Sequence, residues 1–90
     1  MRSYELVTIV TPETADEAVP ATTEKVHQLI QNKGGTITDV QRWGRRKLSY
    51  AIDHHTEGHY VLTRFTLDPH LMSELDSELR VSEDVIRHLI

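Results

Sequence analysis

Arg42, Trp43, Gly44, Arg45, Arg46 and Lys47 gather four of the chain's ten basic residues and its single tryptophan into six positions. A guanidinium forks onto phosphate oxygens and stacks on unpaired bases, and an indole beside it offers a second stacking plane. The run therefore has the chemistry that holds irregular RNA. It also reads as a solvated edge strand whose charges discourage edge-to-edge pairing, and composition and spacing alone do not separate the two.

The remaining reactive side chains are less pointed. His54, His55 and His59 are metal-ligating types, but they surround a turn, have no cysteine beside them and show no established ligand spacing. Solvated turn residues are expected there, able to gain positive charge near phosphate in mild acid. Asp53 with Glu57, and Asp68 with Glu74, could be acid/base pairs only in a desolvated pocket; a turn and a helix start use them more simply. Tyr4, Tyr50 and Phe65 read as packing residues. No catalytic residue, metal or cofactor is expected, and the chain reads as a non-enzyme.

Ninety residues can close one hydrophobic core, so a single domain over 1–90 is expected. The balance of 38% hydrophobic and 27% charged residues is that of an ordinary folded chain, and the absence of cysteine excludes a disulfide framework and a thiol nucleophile. The N-terminus enters an alternating pattern at once, with no signal-type apolar core, so a soluble cytoplasmic chain with no membrane contact is expected. The formal charge of −4 argues against nucleic acid at first sight. Acids, however, crowd Glu13 to Glu24 and Asp68 to Asp84, away from the basic run, and this separation is expected to make one face basic.

The elements that must carry these side chains follow from periodicity. Arg2 to Val10 alternates as a strand, with Leu6, Thr8 and Val10 on one side and Glu5, Val7 and Ile9 on the other. A helix is expected from Asp16 as N-cap, with Pro20 early in it, Val19, Val26, Leu29 and Ile30 as its stripe, and Lys33, Gly34 and Gly35 as its stop. Thr36 to Ile52 is β-like but would span ~55 Å if flat, so it must bend or project; Gly44 is the natural place for a bulge that presents Trp43, Arg45 and Arg46 at the rim. A polar turn at Asp53 to Gly58 leads to a strand from His59 to Leu67. Asp68 and Pro69 open a second helix with Leu71, Met72, Leu75 and Leu79, ending near Arg80, and Val85 to Ile90 closes as a strand.

The order β-α-β-β-α-β is that of an α+β, ferredoxin-like split β-α-β fold, with a four-stranded antiparallel sheet and both helices on one face. Val61, Thr63, Phe65 and Leu67 should face the helices. Tyr60, Leu62 and Arg64 then lie on the open face beside Val7 and Ile9, an apolar group suited to docking a protein partner.

Met1-Arg2-Ser3-Tyr4-Glu5, the run from Trp43 through Ile52, His59-Tyr60-Val61-Leu62 and Glu83-Asp84-Val85-Ile86-Arg87 together resemble the bacterial small-subunit ribosomal protein six family, over essentially the whole chain. The resemblance implies the split β-α-β fold and binding to the central domain of small-subunit ribosomal RNA. It also implies a pairing with small-subunit ribosomal protein eighteen, the chain being a monomer outside the ribosome. By position it implies Arg2, Tyr4, Arg45, Arg46 and Arg87 as RNA or partner contacts, with Tyr4 on the partner side; Trp43 and Lys47 are added on their chemistry. Ala51 stands where the family commonly has proline, and Asp53-His54 where lysine is usual.

Two other classes share the fold. A small phosphate-ester or acyl-phosphate hydrolase would use arginines to cradle phosphate, but Asn32 is the only asparagine and no glycine-rich anion loop precedes a helix. A regulatory ligand-binding module or a generic RNA-recognition domain needs a pocket between copies or aromatics on the two central strands, and Tyr60 alone is a weak stacking platform.

Overall fold

The computed structural model describes residues 1–52, 55–82 and 85–90, with the backbone alone for residues 49–52. Strands β1 (Arg2–Val10), β2 (Thr36–Ile52), β3 (His55–Leu67) and β4 (Val85–Leu89) form one sheet in the order β2-β3-β1-β4, each pair antiparallel. Helices α1 (Val19–Asn32) and α2 (Met72–Arg80) pack on one face. Leu6, Phe65, Leu67 and Val85 meet Val26, Ile30, Leu75 and Leu79 there, all 5% exposed or less. Period-2 alternation in the strands and 3.6-residue spacing in the helices bring these apolar positions to one layer. Among the described residues no helix is long and apolar enough to cross a membrane.

The end of α1 is set by backbone chemistry. Gly35 N–H donates to the Ile30 carbonyl and Gly34 N–H to that of Gln31, each at 3.0 Å, with Gly34 at φ +82°. This pair of bonds satisfies carbonyls the helix leaves orphaned, and the left-handed residue in it favours glycine.

The helix starts differ from expectation. Asp16 does not cap α1: residues Asp16–Ala18 form a 3₁₀ turn, and α1 begins at Val19 with no side-chain cap. Pro20 lies in its first turn, where the missing N–H costs nothing. Asp68 does cap, accepting from His70 N–H at 3.0 Å, but it caps another 3₁₀ turn, and α2 starts at Met72.

Strand β2 runs 17 residues in a molecule whose longest dimension is 35 Å. It accommodates this length by irregularity. Its register against β3 shifts between Arg42 and Gly44, with Gly44 at φ +80°, as the isolated glycine implied. The hairpin arm is longer than expected, because β3 begins at His55, so residues 55–58 are strand and not turn. Asp53 and His54, of the expected turn, lie outside the described residues, as do Glu83 and Asp84 and the side chain of Tyr50.

Candidate nucleic-acid interface

Alternation divides the basic run between the two faces of β2. Arg42 pairs with Val61, Arg45 with His59 and Lys47 with Glu57, all positions on the helix side; Gly44 pairs with Tyr60 and Arg46 with Gly58, on the open side. The expectation of one basic face is thus corrected: a two-residue pleat cannot put neighbouring arginines on the same side. All of Arg42, Trp43, Arg45, Arg46 and Lys47 are nonetheless exposed, because β2 is an edge strand.

On the helix side Arg45 is held. Its Nη1 lies 2.6 Å from Glu57 Oε1 and its Nη2 donates to the Pro12 carbonyl at 3.0 Å, which fastens the β2–β3 arm to the loop after β1. His59, beside it, is not a solvated turn residue as expected. It is 3% exposed, its Nε2–H donates to the Thr14 carbonyl at 2.9 Å, and its Nδ1 is 3.6 Å from Asp16. The loop after β1 and the 3₁₀ turn that begins at Asp16 lie against it.

On the open side a row crosses the sheet: Gly44, Tyr60, Ile9 and Arg87, one from each strand. Trp43 leaves the bulge to stack on Tyr60, with ring centroids 6.4 Å apart and an interplanar angle of 16°, and the Arg46 guanidinium carbon stands 5.3 Å from the indole centroid. Trp43 Nε1–H donates to Gln41 Oε1 at 3.3 Å, and Gln41 Nε2 donates to Asp39 at 3.1 Å. Arg64 completes the line, 3.6 Å from Asp39 and 3.5 Å from Glu5.

The open-face residues expected to dock a partner differ in exposure. Val7 and Tyr60 are half-buried and Arg64 is exposed, whereas Ile9 and Leu62 are buried at 8% and 5%. Gly58 shows one cause: a Cβ there would lie 2.5 Å from Ile9 Cγ2, so the isoleucine fills the space the glycine leaves. Leu89 (68% exposed), paired with Val7, is the apolar residue the face presents instead. Sequence reasoning missed Leu89 because it treated β4 only as a closing strand; the alternation that placed Val7 would have placed its partner.

Tyr4 does not join this face. It pairs with Phe65, its ring 5.7 Å from the phenyl ring, and packs against the core under the helices. It shares the parity of Leu6, so the pleat turns it inward. Arg2, exposed and paired with Leu67, sits at the end of β1 remote from the Ile9–Tyr60 row. Of the residues carried over from the resemblance, Arg46 and Arg87 therefore lie near this row, with Trp43 beside Arg46, Arg45 lies on the helix side, Tyr4 is turned inward and Arg2 sits at the far end.

Fold and surface define a class: a small α+β sheet protein with one face covered by helices, the other open, and an aromatic and guanidinium cluster on an exposed edge strand. Residues 3–90 match the family described as Ribosomal protein S6. The chain is 46% identical to small ribosomal subunit protein bS6 of Clostridium beijerinckii over 90 residues, all of this chain and 95% of that protein. It is 42% identical to bS6 of Moorella thermoacetica over the same span, 92% of the relative. The crystal structure of 30S ribosomal protein S6 from Thermotoga maritima superposes with a TM-score of 0.90 at 32% identity, covering 98% of this chain and 83% of that one. The chain belongs to the ribosomal protein S6 family, and these relatives are ribosomal proteins, not enzymes.

Proposed function

We propose that the chain is a structural constituent of the small ribosomal subunit, in the cytoplasm, that binds the central domain of small-subunit ribosomal RNA together with small-subunit ribosomal protein eighteen. The full-length family match carries this reading. The surface supports it: exposed Trp43 and Arg46 on β2 and Arg87 on β4 border an apolar patch of Val7, Tyr60 and Leu89 on the open face, and exposed Lys47 adds charge on the other side of the same edge strand. Guanidinium and indole suit RNA phosphates and bases, and the apolar patch suits a protein neighbour.

Charge explains why two partners are needed. A chain of net charge −4 with few cations at its rim releases few counterions on an RNA surface and binds weakly alone; a basic partner seated beside it adds the missing positive field. Binding to a central-domain RNA fragment, measured with and without protein eighteen across a salt series, tests this. Tight binding with a steep salt slope is expected only for the pair. Hydrolysis of phosphate esters by the isolated chain without any RNA binding by the pair would refute it.

A further inference from the structure

Adjacent arginines on β2 meet very different surroundings. Arg45 has committed both terminal nitrogens, one to Glu57 and one to the Pro12 carbonyl. To grip a phosphate it would have to release both and leave a carboxylate beside the incoming anion, where like charges repel. Arg46 is bound otherwise. Its Nε approaches the Trp43 carbonyl at 3.5 Å and its guanidinium stands over the indole, while among the described residues no other group holds its terminal nitrogens.

The indole is itself fixed from two directions. Tyr60 stacks on it nearly parallel, and its N–H is drawn toward Gln41, which is tied through Asp39 to the Arg64–Glu5 pair. A flat cation over an aromatic face keeps its in-plane N–H donors directed outward, and fixing it beforehand removes the ordering cost of a long flexible side chain on binding. The bulge at Gly44 makes this possible by lifting Trp43 out of the regular pleat toward Tyr60.

We infer that Arg46 is the RNA-contacting guanidinium of this pair, that Trp43 with Tyr60 beneath it is a positioning residue for Arg46, and that Arg45 is a structural tie. This assignment rests on the RNA-binding reading above. Arg46→Ala is expected to weaken binding of the protein pair to the central-domain fragment roughly tenfold, the scale of one charge-assisted contact. Trp43→Leu should cost roughly threefold, Trp43→Phe should restore most of that, and Trp43→Leu should cost nothing further once Arg46 is alanine. Arg45→Ala should change affinity less than about twofold while lowering the melting temperature. In the free protein, Arg46→Ala should shift the emission of the single tryptophan and Arg45→Ala should not. Arg46→Lys, which retains the charge without the planar fork, should regain only part of the affinity.

Equal affinity losses from Arg45→Ala and Arg46→Ala, or additive losses from Trp43→Leu and Arg46→Ala, would overturn the assignment while leaving RNA binding intact. Absence of binding by the unmodified pair would overturn the underlying reading, and the assignment with it.

Discussion

Gly58 shows how one missing side chain shapes the open face of the sheet. Ile9 Cγ2 occupies the place of its absent Cβ, and the Val10 carbonyl would be 3.2 Å from that atom. Gly58→Ala must push a β-branched side chain against its neighbours, so destabilisation of ~1–3 kcal/mol is expected, read as a lower urea midpoint at unchanged slope. An unaltered midpoint would mean that Ile9 is free to turn away. Sequence alone gave the run around Trp43 its chemistry but not its partners. The identity of Arg45's acceptors depends on Glu57 and Pro12, 12 and 33 residues away in the chain, which only the pairing of β2 with β3 and the path of the loop after β1 bring together. Tyr4 was the opposite case: its alternation with Leu6 already placed it inward, and only the family resemblance pointed outward.

At the level of elements, polar contacts seat the helices on the sheet alongside the apolar core. His27 of α1 lies 3.1 Å from Thr63 Oγ1 of β3, and His88 of β4 donates to Asp76 of α2 at 2.6 Å. Burial pushes the His27 imidazole below its ordinary value; Arg42 adds to this and Glu24 opposes it. The folded state therefore prefers His27 neutral, and the unfolded chain takes up the proton first. Stability is full above about pH 6.5 and falls as pH drops below the unfolded value toward the folded one. The hydrogen bond from His88, with help from Arg80, holds the Asp76 carboxyl below its usual value, so its contribution is present above the unfolded pKa and lost as pH falls through the folded one. A melting temperature that declines from pH 7.5 to 5.5, with a smaller decline in His27→Gln, is expected. An equal decline in both proteins would remove His27 from the account. The helices themselves were legible from their apolar spacing and from Gly34-Gly35. Their starts were not: Asp68 caps a 3₁₀ turn and not the helix behind it, and Asp16 lies inside a 3₁₀ turn whose N-cap is Ala15, so an acidic residue before a periodic stretch does not by itself mark where the α-helix begins.

For the whole molecule, strand order and helix side follow from the β-α-β-β-α-β pattern, and Gly44 marked where the long strand had to deform. What the pattern left open was how charge is distributed on the folded surface. Segregation along the chain did not become segregation between faces, because neighbouring positions of a strand face opposite ways and because Glu57, Asp39 and Glu5 neutralise Arg45 and Arg64 at close range. On the function proposed above, a chain of this charge pattern completes a surface in company and binds poorly on its own. The most direct measurement is sedimentation of an epitope-tagged copy from native lysate through a sucrose gradient at low salt and magnesium that separates the ribosomal subunits. The chain is expected to travel with the small subunit and to be released by RNase treatment; a chain that remains at the top of the gradient, or that travels with the large subunit, would contradict a role in the small subunit.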